Sequence, residues 1–264
     1  MASVEENHHF WNNVYDWSRY QGDEWSARWG GPDAQWFFSI LPRLQRFLPA
    51  PSALEIGPGQ GRFTAYLKDC CQHLILVDVS ERCIQACRQR FRDEHLEFRI
   101  GDGRSLPGVE PESLDLVFSF ESLVHAEEDV MEAYLQAIAE ALKPGGAAFL
   151  HHSNLGEHLD YFSRTDWLPK TWRRPLKRAG LLDFGEWRAH SMTADRFLEL
   201  CPAGLHCSHQ ELIPWGGKRL IDCFSTVVKV ESSSPPARLA NTRFIARAFA
   251  IQRLAELYCA DVPW

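Results

Sequence analysis

The 264-residue chain has no apolar run approaching the roughly 18 residues that cross a bilayer, and its first ten residues, MASVEENHHF, are acidic and His-bearing, not basic and then apolar. Neither a membrane span nor a secretory leader is expected, and a cytoplasmic location is. Cysteine is present, with 8 residues, but never as C-x-x-C; Cys70 and Cys71 are adjacent, and Cys83 and Cys87 lie one helical turn apart. A disulfide framework and a zinc signature are thereby set aside, and the thiols read as reduced small hydrophobes. Positive charge is also in short supply: 28 Lys and Arg face 35 Asp and Glu, for a net charge of -7. Such a chain lacks the electrostatic footprint that grips a phosphate backbone, so a nucleic-acid partner is not expected; Lys170 to Arg178 is a local basic exception. No internal repeat occurs, and low complexity is confined to Ser232 to Pro236.

Aromatics crowd residues 1–50, among them Phe10, Trp11, Tyr15, Trp17, Trp25, Trp29, Trp36 and Phe37. A segment so apolar must pack on something and is read as a helical cap, with Asp33 capping a helix from Ala34 to Phe47. From Ser52 the chain alternates short apolar runs with helical stretches, the pattern of a parallel sheet covered on both faces. Strands are predicted at 53–57, 74–79, 96–101, 114–120 and 147–151, and helices at 62–71, 81–91 and 129–142, the last closed by Lys143-Pro144-Gly145-Gly146. Residues 155–190 break the rhythm as an insertion near the acceptor side of the sheet's carboxyl edge. A helix at 193–200 and strands at 205–213 and 223–230, paired as an antiparallel edge hairpin, complete the expected fold. That fold is a doubly wound, mostly parallel, seven-stranded Rossmann-like α/β sheet. The main domain is placed at 51–230, and 231–264 is read as a linker and a terminal helix. In that helix Phe244, Ala248, Ile251, Ala255 and Tyr258 share a face that docks on this subunit or, in a homodimer, on a neighbour.

The most informative stretch is Leu54-Glu55-Ile56-Gly57-Pro58-Gly59-Gln60-Gly61, a strand opening through a glycine turn into a helix. A nicotinamide site would present G-x-G-x-x-G, but the third glycine here comes one position early and Arg62 takes its place. Asp78, followed by Val79, ends the second strand, where a carboxylate can accept two ribose hydroxyls. Asp102 and Gly103 end the third, where an acid and a main-chain N–H can meet an adenine. Phe120 lies at the end of the fourth and would line a methyl-donor pocket. The E-x-G-x-G-x-G form, with Glu55, Gly57, Pro58, Gly59 and Gly61, resembles the first motif of class I methyltransferases. The resemblance implies S-adenosylmethionine as cofactor and S-adenosylhomocysteine as product.

A methyl acceptor with an alkyl hydroxyl needs a base, and three histidines stand at the carboxyl edge: His125 past strand four, and His151 and His152 at the end of strand five. Adjacent residues on a strand point to opposite faces, so at most one of the last two meets the acceptor. A rival arrangement has His125, His151, His152 and Asp166 holding a divalent ion, but no H-x-x-x-H or similar spacing supports it, and no metal is expected. Residues 25–31, 119–127, 151–156, 210–215 and 222–225 resemble a bacterial group of methyltransferases associated with glycan assembly, a likeness that covers roughly residues 10–230. It implies a sugar or glycoside acceptor, and His125 matches a histidine that serves as base in some sugar O-methyltransferases. The alternatives are a phenolic or peptide natural product as acceptor, or a protein that binds the cofactor without turnover.

Overall fold

The computed structural model describes residues 3–18, 22–179, 181–183, 185, 187–215, 217–231 and 234–259. Its framework is one sheet with strand order β3-β2-β1-β4-β5-β7-β6-β8. The strands are β1 (Ala50–Ile56), β2 (Cys71–Asp78), β3 (Leu96–Ile100), β4 (Leu114–Ser119), β5 (Leu142–Ser153), β6 (Leu205–Ile213), β7 (Asp222–Lys229) and β8 (Ala237–Ala240). The first five run parallel, β7 runs antiparallel to β5 and β6, and the order reverses between β1 and β4. Loops leaving the carboxyl ends of β1 and β4 diverge there and leave a crevice.

Alternate residues of the strands feed two separate cores. Leu54, Ile56, Ile75, Val77, Val117 and Leu150 pack with Met131, Leu135 and Ile138 from one face; Ala53, Leu74, Leu76, Leu116, Phe118 and Phe149 pack with Trp29, Trp36, Ile40 and Leu44 from the other. The helices are α1 (Val4–His9), α2 (Pro32–Gln35), α3 (Leu41–Leu44), α4 (Thr64–Leu67), α5 (Glu81–Arg90), α6 (Glu128–Ala141), α7 (Leu159–Asp166), α8 (Lys170–Arg178), α9 (Ala194–Leu200) and α10 (Phe244–Cys259). The aromatic amino-terminal segment therefore covers the second core, with Trp36 stacked 5.4 Å from Tyr66.

Four sequence expectations need correction. The sheet has eight strands, not seven: the stretch read as a linker supplies β8, which pairs parallel to β6 from His209 with Ala237 to Leu212 with Ala240. All four β8 residues are exposed, so no apolar alternation announces it, and the β6–β7 hairpin is not the outermost pair. The Pro-Gly-Gly motif does not close α6. That helix ends at Ala141, Leu142 already pairs with Leu114, and residues 143–146 bulge before Ala147 pairs with Leu116. Asp33 caps no helix: Gly31 holds the cap position, Pro32 opens α2, and Asp33 accepts a hydrogen bond from the Tyr66 hydroxyl at 2.7 Å. Finally, Tyr258 does not share the docked face of α10: Phe244 packs on its own subunit, one of the two dockings expected, with its ring 5.7 Å from Trp29 and 5.5 Å from Phe224, whereas Tyr258 is 82% exposed.

Candidate active site

A cavity of about 680 Å³ fills the crevice between the ends of β1 and β4. Its floor is the turn after β1. Gly57 has φ 69°, and a Cβ placed there would lie 1.9 Å from Ser122 Oγ and 2.5 Å from Ser122 Cβ, so the turn presses directly on the exit of β4. Gly61, with φ 83°, meets Phe91 in the same way, at 2.3 Å, and does not line the cavity. Only glycine meets both demands, a left-handed backbone and no side chain. Asp78 ends β2 and ties two loops together, its Oδ2 accepting from the Gly59 N–H at 3.1 Å and its Oδ1 from the Ser80 N–H at 2.8 Å. Burial pushes its carboxyl up to about 6 despite these bonds. Glu55 is also buried, accepts from the Thr64 hydroxyl at 2.5 Å, and is pushed up by burial to about 7. Glu55, Gly57, Pro58, Gly59, Asp78, Val79, Gly103 and Phe120 all line the cavity.

Asp102 does not. Its carboxylate accepts from the Arg104 N–H at 2.9 Å and the Ser105 N–H at 2.8 Å, and from the Ser105 hydroxyl, closing its own loop. In its place α1 covers this end: a Cβ on Gly103 would lie 2.7 Å from Val4 and 3.1 Å from Val79. Val4, Phe10 and Trp11 line the cavity beside them.

At the opposite end stand Phe120, Glu121, His125, Trp187, Arg188 and Trp215. Glu121 (φ 59°) and Trp187 (φ 70°) both occupy the left-handed region, where a bulky side chain is held only by its surroundings. The Glu121 carboxylate pairs with Arg62, and its N–H donates to His151 Nδ1 at 3.2 Å. That bond puts the ring proton of neutral His151 on Nε2, which donates to Asp222 Oδ2 at 3.0 Å. Arg188 closes the chain with two bonds to the Asp222 carboxylate, at 2.7 and 2.9 Å. Burial alone would raise the Asp222 carboxyl, but Arg188 and His151 outweigh it and hold it at about 2.

The three histidines separate cleanly. His151 is fully buried among Phe120, Trp215 and Phe224, with both nitrogens engaged, and it does not reach the cavity. His152 points to the opposite face of the sheet, its ring parallel to Phe197 at 4.3 Å and its nitrogens bonded to the Ser153 carbonyl and Ser225 hydroxyl. Both are thereby corrected as candidate bases: β5 is an interior strand, and each of its faces is sealed at this point. His125, in the tight turn Leu123–His125 after β4, does line the cavity, 6.0 Å from the Trp11 ring. Burial first and Arg188 second push its ring down to about 4, although it hydrogen-bonds the Trp187 main chain. Among the described residues no group of three or more His, Cys, Asp or Glu stands together as a metal site; the Asp166 side chain lies outside them.

Residues 53–146, which carry the cavity's floor and the turn bearing His125, match the family model described as a methyltransferase domain. These residues are similar to class I methyltransferases. S-adenosylmethionine is the cofactor of this family. Phosphoethanolamine N-methyltransferase 1 of Triticum aestivum is 30% identical over 118 residues, 42% of this chain and 24% of that protein. Nodulation protein S of Sinorhizobium fredii is 29% identical over 100 residues, 37% of this chain and 45% of that protein. The chain spans about a quarter of the length of the wheat relative. In fold, the methyltransferase domain and its flanks resemble a protein from Pyrococcus horikoshii (TM-score 0.55, 18% identity, 84% of this chain and 95% of that one). They also resemble the N-methyltransferase NodS of Bradyrhizobium japonicum in complex with S-adenosylhomocysteine (TM-score 0.51, 17% identity, 80% of this chain and 100% of that one).

The cavity thus presents two buried acids beside a glycine turn at one end, and a neutral imidazole, an ion pair and aromatic walls at the other. Arg62 and Arg188 escaped sequence reasoning as the partners of Glu121 and Asp222, because a lone charge in a sequence looks solvated until its partner is placed. The amino-terminal contribution had a signal, the aromatic density of residues 10–29.

Proposed function

We propose that this chain transfers the methyl group of S-adenosylmethionine to a hydroxyl of a small polar acceptor, a sugar or glycoside, seated between Phe120, Glu121 and His125. The observation that carries it is the continuity of a single cavity from Asp78 to His125. At about 680 Å³ it falls in the range of small-molecule sites and offers both ends at once. The donor end fits the cofactor on three counts: a turn without side chains, an acid at the end of β2 with lone pairs left on both oxygens, and an apolar wall of Val79 and Val4. The cofactor supplies a methyl group on a positive sulfur, displaced in line.

The residues of the chain do the rest. Gly57 to Gly59 and Asp78 fix the donor, and the Arg62–Glu121 pair, held by His151 and Asp222, fixes the acceptor wall, so that the reacting atoms are aligned before the step. His125 donates one ring N–H to the Trp187 carbonyl and keeps its other nitrogen unprotonated at neutral pH. Its basicity is low, so it takes the acceptor proton late, as methylation makes the oxygen acidic. A second reading, N-methylation of an amine, draws on the names of relatives such as the wheat protein. A panel of hydroxylated and amine acceptors, read by S-adenosylhomocysteine formation, tests both. Turnover on hydroxyl compounds that depends on His125 supports the first, turnover confined to amines the second, and cofactor binding without turnover on any acceptor counts against both.

A further inference from the structure

Ser26 and Gln35 are polar, fully buried and absent from the cavity wall. Ser26 sits in the helical turn Asp23–Trp29, and Gln35 ends α2. Together they form a directed chain. The Ser26 hydroxyl donates its one proton to Gln35 Oε1 at 2.6 Å, which leaves its lone pairs to accept from Arg62 Nη1 at 3.2 Å. Arg62 in turn pairs through Nη2 with the Glu121 carboxylate on the cavity wall. Its guanidinium also lies 4.4 Å over the Phe63 ring and 5.4 Å from the Trp25 ring, contacts that hold a cation near a ring face without choosing where each N–H points. Among the described residues, that choice falls to Ser26 and Glu121. The other half of the Gln35 amide is unmet: Nε2 is buried without a partner among the described residues. Such a group lowers stability, and an apolar side chain of the same shape would avoid the loss. Gln35 is thus a poor choice for core packing alone, and its one side-chain bond goes to Ser26.

We propose that Ser26 and Gln35 are positioning residues for the acceptor, fixing the guanidinium of Arg62 and, through it, the Glu121 carboxylate. The proposal rests on the reading of Glu121 as part of the acceptor wall. Glu121 needs such support, because its main chain lies in the left-handed region, at φ 59°, and its N–H is committed to His151. Without the Gln35 oxygen, the Ser26 proton is free to turn toward Arg62, a donor facing a donor, and the guanidinium loses its fixed orientation.

Gln35→Met keeps the volume and removes the oxygen that Ser26 meets. The acceptor for the test is methyl glucoside, methyl galactoside or methyl mannoside, whichever the wild type turns over fastest. The variant should show an acceptor KM raised about tenfold, with kcat and S-adenosylhomocysteine affinity within about twofold of wild type, because a contact used equally in binding and in the transition state is loosened. Its melting temperature should equal or exceed that of wild type, since the unmet amide is gone. Ser26→Ala should raise KM similarly, and Ser26→Thr should restore it. In a Glu121→Gln background, itself impaired, Gln35→Met should add nothing further, because it acts through that carboxylate. An unchanged KM in Gln35→Met, an effect that multiplies with that of Glu121→Gln, or a KM rise accompanied by lost cofactor affinity and a lower melting temperature each overturns the positioning role alone. Wild type inert on all three glycosides overturns the acceptor reading itself, and the positioning role with it.

Discussion

Gly57→Ala is the sharpest probe of the turn beneath the cavity, because two separable effects meet there. Placing alanine at φ 69° costs about 1–2 kcal/mol of backbone strain. The new methyl group would sit 1.9 Å from Ser122 Oγ and 2.5 Å from Ser122 Cβ. The hydroxyl can rotate away, but the Cβ moves only with its main chain, so overpacking adds about 1–3 kcal/mol. The sum, about 2–5 kcal/mol, corresponds in a chain of this size to a melting temperature lower by about 5–15 °C. Adding Ser122→Gly leaves Ser122 Cα as the nearest of these atoms, at 3.9 Å, an ordinary contact. The double variant should recover the overpacking but not the backbone strain, giving a coupling of about 1–3 kcal/mol in a double-mutant cycle. Thermal unfolding of the four proteins measures it. A Gly57→Ala protein as stable as wild type, or additive single changes, would refute the proposed contact between the β1 turn and the end of β4.

Other consequences follow from the buried ionisable groups. His125→Ala should lower turnover about a hundredfold to ten-thousandfold with cofactor affinity nearly intact, whereas His152→Asn should change stability more than chemistry; steady-state kinetics with calorimetry separates the two. Because His125 is held at about 4, its unprotonated state persists well below the usual histidine range, so kcat/KM should show no acid limb near 6.5 attributable to this ring. Cofactor affinity should instead weaken as pH falls through about 6, by about tenfold at pH 5, as buried Asp78 takes up a proton, and titrations across pH 5–8 read this directly. For stability, His152 has a folded-state value of about 4 against 6.5 unfolded, so its contribution is present above 6.5 and lost as pH falls toward 4, by about 3 kcal/mol. Denaturant unfolding of His152→Leu should show an acid limb shallower by that amount.

The features most legible in the sequence were short apolar runs and local caps. Strand β6 lies at Leu205–Ile213 as expected, although a bulge between Cys207 and His209 breaks its alternation, and Thr193 caps α9 by accepting from the Arg196 N–H at 2.8 Å. Asp78 was read from its place at the end of the second strand, and it lines the cavity while also tying the loops after β1 and β2 together. Asp102 misled because the sequence offers the same acid at the next strand end, yet Ser105, three residues on, already satisfies it locally. The histidines at 151 and 152 could be assigned to opposite faces but not to depth, which depends on Trp215 and Phe197 arriving from distant segments. Strand β8 had no apolar pattern to betray it, since backbone pairing to β6 and the bonds of Arg238 to Gln210 and Asp195 hold an exposed edge.

Calorimetric titration of S-adenosylhomocysteine into the wild-type chain and into Asp78→Ala tests the central claim most directly, because it addresses whether the cavity between the ends of β1 and β4 is the cofactor site. The account predicts one-to-one binding to wild type and a loss of about 30-fold or more in the variant, as charge-assisted bonds to the two ribose hydroxyls disappear together. Equal affinity for the two proteins, or no binding by a folded wild type, would contradict it.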